Sequence, residues 1–438
     1  MFATSVFNIG EFVVKPFYVS TILMFIVFVR GKLFTRNSFK EKDSSSIFIF
    51  LIWIYITFLF TFLLTNIKVI SSDQEMSDYG DLKMLHVTWG SLSQTLFPLF
   101  GIFSFFVIKA YIKTQQDIKD FTKGYVLSFI PLFITVCILF TLRNIVHAPT
   151  LLQGFFAFIN PSYSRNVAGN QWGAIGDISR TFTYIGEPSY TAKYYLIMIS
   201  LFSGLLLYTK NSSSRKSWYI IINLLIFVMI IVLGSTTGYV GYLILAAIIG
   251  FLFFRYKHLF INNGIKQNSN FIALTFILGF IIIIPLLIIF YQQISYFVNY
   301  LLVNHVDKIE GDTGSGVARL NTNIIAFEVF LKSPIFGVGY GHNRTNSYFT
   351  FLLSNVGIVG FILMNFFCLY LIVMPLKKLK NMPIDLKTYG IIYVTMFIIT
   401  YLINFAFSST VAIAFGWFWT NAAILGSIIR WRSLDVDE

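Results

Sequence analysis

The segment from Phe271 to Phe290 runs for twenty residues without a charged side chain. About twenty apolar residues are what a helix needs to cross the hydrocarbon core of a bilayer. Runs of this kind recur along the whole chain, and continuous apolar blocks of that length are incompatible with the amphipathic spacing of a soluble helix. Of the 438 residues, 56% are hydrophobic and only 12% charged, about half the charged share of an ordinary soluble domain. The sequence therefore predicts an all-α polytopic membrane protein: one integral membrane domain over residues 1–438.

Eleven spans (within a range of ten to twelve) account for the apolar blocks: 12–30, 47–64, 92–111, 125–142, 190–208, 218–233, 236–254, 271–290, 348–373, 388–407 and 411–429. Assigning alternate loops to two sides puts 21 of the 32 basic residues on one side. The positive-inside rule makes that side cytoplasmic, with the N-terminus outside and the C-terminus inside. The net charge of +13 then belongs to the cytoplasmic face, where anionic lipid is its natural partner and nucleic acid is not. No cleavable signal peptide is expected, because the first apolar block leads into a basic loop. Cys137 and Cys368 both lie within apolar blocks, so neither a disulfide framework nor a metal site is expected.

Every cytoplasmic loop is short and carries no Gly-rich phosphate loop. Two outer loops are long, residues 143–189 and 291–347. Each contains an apolar stretch too short to span. One is Leu151 to Ile159. The other places Ile294, Phe297, Val298, Leu301 and Leu302 on one helical face, as an interfacial helix would. The same loops collect arginines. Arg143, Arg165 and Arg180 lie in the first, followed by Gly186-Glu187-Pro188-Ser189-Tyr190. The second has Arg319 at the start of a helix expected over Leu320 to Leu331, where free backbone N–H groups also favour an anion. After it comes Pro334-Ile335-Phe336-Gly337-Val338-Gly339-Tyr340-Gly341-His342-Asn343-Arg344. Its alternating glycines would let the backbone approach a bulky ligand. Glu328 and Lys332, one turn apart, read as a solvated pair.

The order Arg, helix, Pro-x-x-Gly-x-Gly, Asn346-Ser347-Tyr348, then a span containing Val356-Gly357-Ile358-Val359-Gly360 resembles the O-antigen polymerase and ligase superfamily. The segment from Arg180 to Ser189 is similar to one that precedes a middle span in the polymerases of the Wzy type. Arg165, followed after ten intervening residues by Gly176, also resembles an arginine–glycine spacing of some polymerases. Ligases of the superfamily carry a His-Asn pair where this chain has Thr345-Asn346; His342-Asn343 stands three residues earlier.

The resemblance implies metal-independent, inverting glycosyl transfer on the outer face of a bacterial cytoplasmic membrane, with no cofactor. Oligosaccharide repeats on undecaprenyl pyrophosphate would be both donor and acceptor, and a chain-length regulator is a further partner the resemblance allows. It makes Glu187, Arg319 and Arg180 the expected catalytic residues. Arg143, Arg165, His342, Arg344, Asn346 and Tyr348 become the residues expected to bind pyrophosphate or glycan. The product, O-antigen or capsule, is left open. The alternatives are a ligase and a lipid-linked oligosaccharide flippase. A flippase would need ionisable groups inside its spans, and the sequence places few there.

Overall fold

The computed structural model describes residues 7–9, 12–14, 22–23, 26, 42–64, 66–71, 82–146, 174–175, 178–179, 188–208, 213–233, 235–256, 314–407 and 416–431. Ten helices over these residues form one apolar bundle: α1 Lys42–Phe60, α2 Trp89–Tyr111, α3 Gln115–Asn144, α4 Pro188–Tyr208, α5 Ser213–Val232, α6 Thr236–Tyr256, α7 Gly314–Lys332, α8 Tyr348–Lys378, α9 Ile384–Phe407 and α10 Gly416–Arg430. Among the described residues, eight helices are long and apolar enough to cross a membrane. All of them coincide with expected spans. The fifteen-residue α10 falls on the last expected span, while the span at 271–290 and the amphipathic stretch at 294–302 lie outside the described residues.

Several boundaries differ from expectation, each for a local reason. α3 starts ten residues before the apolar block does, because Thr114 and Asp117 form a capping box that starts a helix in polar sequence. Thr88 and Ser91 do the same for α2. The first span does not open at residue 12: Phe12–Val14 pairs with Phe7–Ile9 as a two-stranded hairpin, and helix is described only at Ile22, Leu23 and Ile26. α7 begins at Gly314 and not at Leu320, so Arg319 is in its second turn and not at its free N-terminus. Glu328 and Lys332 are both exposed, and no ion pair joins them.

α4 is the most enclosed of the candidate spans and α5 the least. α4 packs on α5, α6 and α9; α8 packs on α1, α7, α9 and α10; and α10 packs on α2. Trp417, Trp419, Tyr195, Phe105 and Phe351 fill the centre. Gly101 is required there, because a Cβ at that position would overlap the Trp419 indole. The outward faces carry exposed apolar side chains such as Leu127, Trp218, Leu243 and Phe254, suited to lipid.

The two ends of the bundle differ in chemistry. At one, Lys109 Nζ donates to Ser44 Oγ (3.0 Å), Lys119 pairs with Asp385 (2.9 Å), Lys378 Nζ donates to the Ile429 carbonyl (2.6 Å) and Arg430 donates to the Ile112 carbonyl (2.9 Å). This basic end gathers helix termini that the alternation of loops assigns to one side. The opposite end holds the start of α8, the end of α9 and the Gly-rich loop between α7 and α8. We call it the loop end.

Candidate functional site

The loop Ser333–Ser347 is fastened to the bundle by a kink in α8. Gly357 interrupts that helix with φ 65° and ψ −172°. Breaking the helical ladder there frees carbonyls and N–H groups, and the loop takes them. Val338 N–H donates to the Ser354 carbonyl, Gly339 N–H to the Asn355 carbonyl (both 2.9 Å), and Ile358 N–H to the Pro334 carbonyl (2.8 Å). Gly337, Gly339 and Gly341 all have positive φ, at 69°, 95° and 82°. A Cβ on Gly337 would overlap the Asn355 backbone, and one on Gly357 the Ile335 carbonyl. A Cβ on Gly339 would overlap the Thr61 hydroxyl. The alternating glycines therefore serve close packing of the loop on α8, on α2 (a Cβ on Gly341 would meet Gln94) and on the turn that follows α1. This corrects the expectation that they leave backbone open to a ligand.

Asn355 holds the loop's second half. Its Nδ2 donates to the Asn343 carbonyl and its Oδ1 accepts from Asn343 N–H, both at 2.9 Å. Asn343 Oδ1 in turn accepts from Ile70 N–H (3.1 Å), and Arg344 N–H donates to the Ile70 carbonyl (2.9 Å). The strand-like segment Ile67–Ser71 is thus the loop's outer neighbour. It is braced by Lys68–Val69 pairing with Lys83–Met84 and by Val69 packing with Val329 and Val338.

These contacts bring several of the expected residues together. Asn346 Nδ2 donates to Thr322 Oγ1 (2.8 Å) and Thr350 Oγ1 to Asn323 Oδ1 (2.9 Å), which docks the first half of α7 on the start of α8. Thr322 is three residues, just under one helical turn, beyond Arg319, so the backbone of Arg319 lies in the same neighbourhood as Asn346 and Arg344. Arg344 is half-buried. Tyr348 is buried, with its ring stacked near Phe351. Arg143 is in the last turn of α3, and Glu187 directly precedes Pro188, the first residue of α4. Arg165, Arg180 and Glu187 themselves lie outside the described residues, as do the stretch Leu151–Ile159 and most of the loop 143–189.

His342 is 2% exposed, and its ring sits 5.4 Å from that of Phe58. Neither ring nitrogen makes a well-formed hydrogen bond, and the Gly339 and Tyr340 backbone supplies only weak contacts. Burial lowers its pKa to about 4, with smaller opposing contributions from the Gly339 and Tyr340 backbone. At neutral pH it is uncharged, so it brings no positive charge to an anionic ligand. Arg344, two residues on, is the charge-bearing side chain of this loop.

Sequence reasoning gave no site role to four residues of this region. Asn355, Thr61, Lys193 and Asn404 all sit in apolar blocks, where an isolated polar residue is the signal to read. Lys193 is 5% exposed inside α4. Among the described residues, no three His, Cys, Asp or Glu side chains are placed to hold a metal ion.

A family model described as O-antigen ligase matches residues 221–365. The stretch runs from α5 through α7 and the Gly-rich loop to just beyond the kink of α8. It supports the O-antigen polymerase and ligase superfamily. The match does not separate a polymerase from a ligase. With the eight apolar helices, it supports a multi-pass bacterial inner-membrane enzyme of glycosyl transfer in O-antigen biosynthesis. No curated protein matches the chain.

Proposed function

We propose that this protein is a glycan polymerase of the Wzy type, joining undecaprenyl-pyrophosphate-linked oligosaccharide repeats on the outer face of the cytoplasmic membrane. The observation that carries this reading is the docking of α7 and the loop Ser333–Ser347 on the kinked start of α8, which gathers Arg319 and Arg344 at the end opposite the basic one. The positive-inside rule makes the basic end cytoplasmic, and the loop end then faces outward, with the N-terminus outside and the C-terminus inside. No nucleotide sugar is available there, so the activated donor has to arrive on lipid.

In the proposed reaction, a hydroxyl oxygen of the incoming repeat attacks the anomeric carbon of the growing chain from the face opposite its pyrophosphate. The C–O bond to pyrophosphate breaks, the electron pair leaves with the lipid pyrophosphate, and the anomeric centre inverts. Arg319 and Arg180 stabilise the departing charge with bidentate hydrogen bonds. Glu187 takes the proton of the attacking hydroxyl. Arg143, Arg165, Arg344, Asn346 and Tyr348 contact pyrophosphate or glycan, and His342 contributes as a neutral group. The step needs no metal.

A ligase is the second reading, and the family match is equally compatible with it. The displaced His342-Asn343 pair and the burial of His342 count against it. Surface glycan from a strain lacking the chain, complemented with the wild type, separates the two. Collapse of the ladder to a single capped repeat supports polymerisation. Long chains retained on the lipid carrier with none attached to the surface indicate a ligase. Loss of all outward-facing intermediates indicates a flippase.

A further inference from the structure

α4, α9 and α10 enclose a small cavity lined by Lys193, Thr400, Asn404 and Trp417, with Leu196 and Ile403 as an apolar flank. Lys193 lies in the second turn of α4, Asn404 in the last turn of α9 and Trp417 in the first turn of α10. The cavity is therefore at the loop end, and Ser347 Oγ donating to the Phe405 carbonyl (3.2 Å) ties α9 to the Gly-rich loop there. Lys193 and Asn404 are 5% and 3% exposed. An ammonium enclosed within a membrane span is costly and marks a substrate or ion path more often than a packing choice. Asn404 Oδ1 has no hydrogen-bond partner, which leaves that buried carbonyl oxygen without compensation for its lost water. The Thr400 hydroxyl donates to the Met396 carbonyl (2.6 Å), and Lys193 Nζ lies 5.4 Å from the Tyr190 ring centroid.

We infer that this cavity seats one anionic oxygen of a phosphorylated polyprenyl lipid, held by Lys193 and the Asn404 amide. The room is that of about one water molecule. It accepts a single non-bridging oxygen and not a whole phosphate group. A lysine, as a compact point charge, suits such a seat better than the planar fork of arginine. The amide can turn its NH₂ toward the same oxygen. The apolar flank matches a headgroup that carries a long isoprenoid chain and gives nothing to a free sugar. The identity of the lipid rests on the proposed function; the seat itself rests on the cavity.

The test uses the full-length chain in detergent, with binding of undecaprenyl pyrophosphate and, separately, of phosphatidylglycerol followed by native mass spectrometry. Lys193→Met removes the charge. Asn404→Asp keeps the size and supplies an internal carboxylate that pairs with Lys193 and repels the anion. Both variants should weaken undecaprenyl pyrophosphate binding by roughly tenfold or more and leave phosphatidylglycerol binding as in the wild type. Wild-type affinity for the pyrophosphate lipid in either variant overturns the inference. A parallel loss of phosphatidylglycerol also overturns it, because the seat then belongs to bulk lipid. Binding is read without turnover, so a chain that binds the lipid through Lys193 but lengthens no glycan refutes the polymerase reading alone.

Discussion

Asn355 grips Asn343 by both edges of its amide, donating to the Asn343 carbonyl and accepting from the Asn343 N–H, each at 2.9 Å. The first residue is inside a membrane helix and the second in the loop above it. One side chain thereby fixes the backbone on which Arg344 is carried, and through Asn343 and Arg344 it fixes that loop against Ile70.

Replacing Asn355 with Leu keeps the number of side-chain heavy atoms and strands two buried backbone groups. The expected loss of stability is about 2–4 kcal/mol, at one to three per unsatisfied group with partial relaxation. Thermal unfolding of the purified protein measures it. A variant as stable as the wild type would mean that the loop holds its shape without the amide.

Gly357→Ala should also destabilise, although it adds a single methyl group. An alanine at φ 65° and ψ −172°, a region open essentially only to glycine, costs about 1–3 kcal/mol, and the added Cβ would overlap the Ile335 carbonyl. The effect should appear as a lowered unfolding temperature together with shortened surface glycan. Gly124→Ala, in the interior of α3 where a Cβ meets nothing, is the control expected to leave glycan length unchanged and to raise the unfolding temperature slightly, since alanine is favoured there by about 0.5–1 kcal/mol.

His342 sets a pH dependence. Its pKa falls from an ordinary 6.5 to about 4 in the folded chain, so between those values the unfolded chain binds more protons. Stability is then complete above pH 6.5, declines as pH falls toward 4 and levels off below it, by up to about 3 kcal/mol. Unfolding of the wild type and of His342→Gln at pH 7 and pH 4.5 checks the sign. The variant should lose less between the two values than the wild type.

Arg319→Ala and Arg180→Ala should each reduce chain elongation on the order of 100-fold or more while a single repeat remains attached. Arg319 stands in the second turn of α7, where the backbone N–H groups are already bonded within the helix. The side chain alone must therefore carry the interaction. Arg319→Lys should fail as well, because a point charge does not replace the bidentate fork. Glycan ladders at matched protein abundance read all three, and long chains in any of them would remove that residue from the proposed role.

The membrane architecture was legible because a bilayer imposes length and polarity on every span, and the blocks at 92–111, 190–208 and 236–254 map directly onto α2, α4 and α6. The early start of α3 was not legible from hydropathy, since a Thr114–Asp117 cap acts before the apolar block begins. The Gly-rich loop was recognised as special, yet its glycines were assigned to a ligand. Their partners, Asn355 and Thr61, are distant in sequence and identifiable only once α1 and α8 are packed together. Lys193 was visible as a charge within an apolar block. Its enclosure beside Asn404 depends on how α4 meets α9, which periodicity does not specify.

The most direct test of polymerisation uses the purified wild-type chain in proteoliposomes, supplied only with undecaprenyl-pyrophosphate-linked single repeats. The account predicts lipid-linked products of two or more repeats, with one undecaprenyl pyrophosphate released for every linkage formed. Products that stay at one repeat until lipid A or a protein acceptor is added, and then transfer without lengthening, would contradict it.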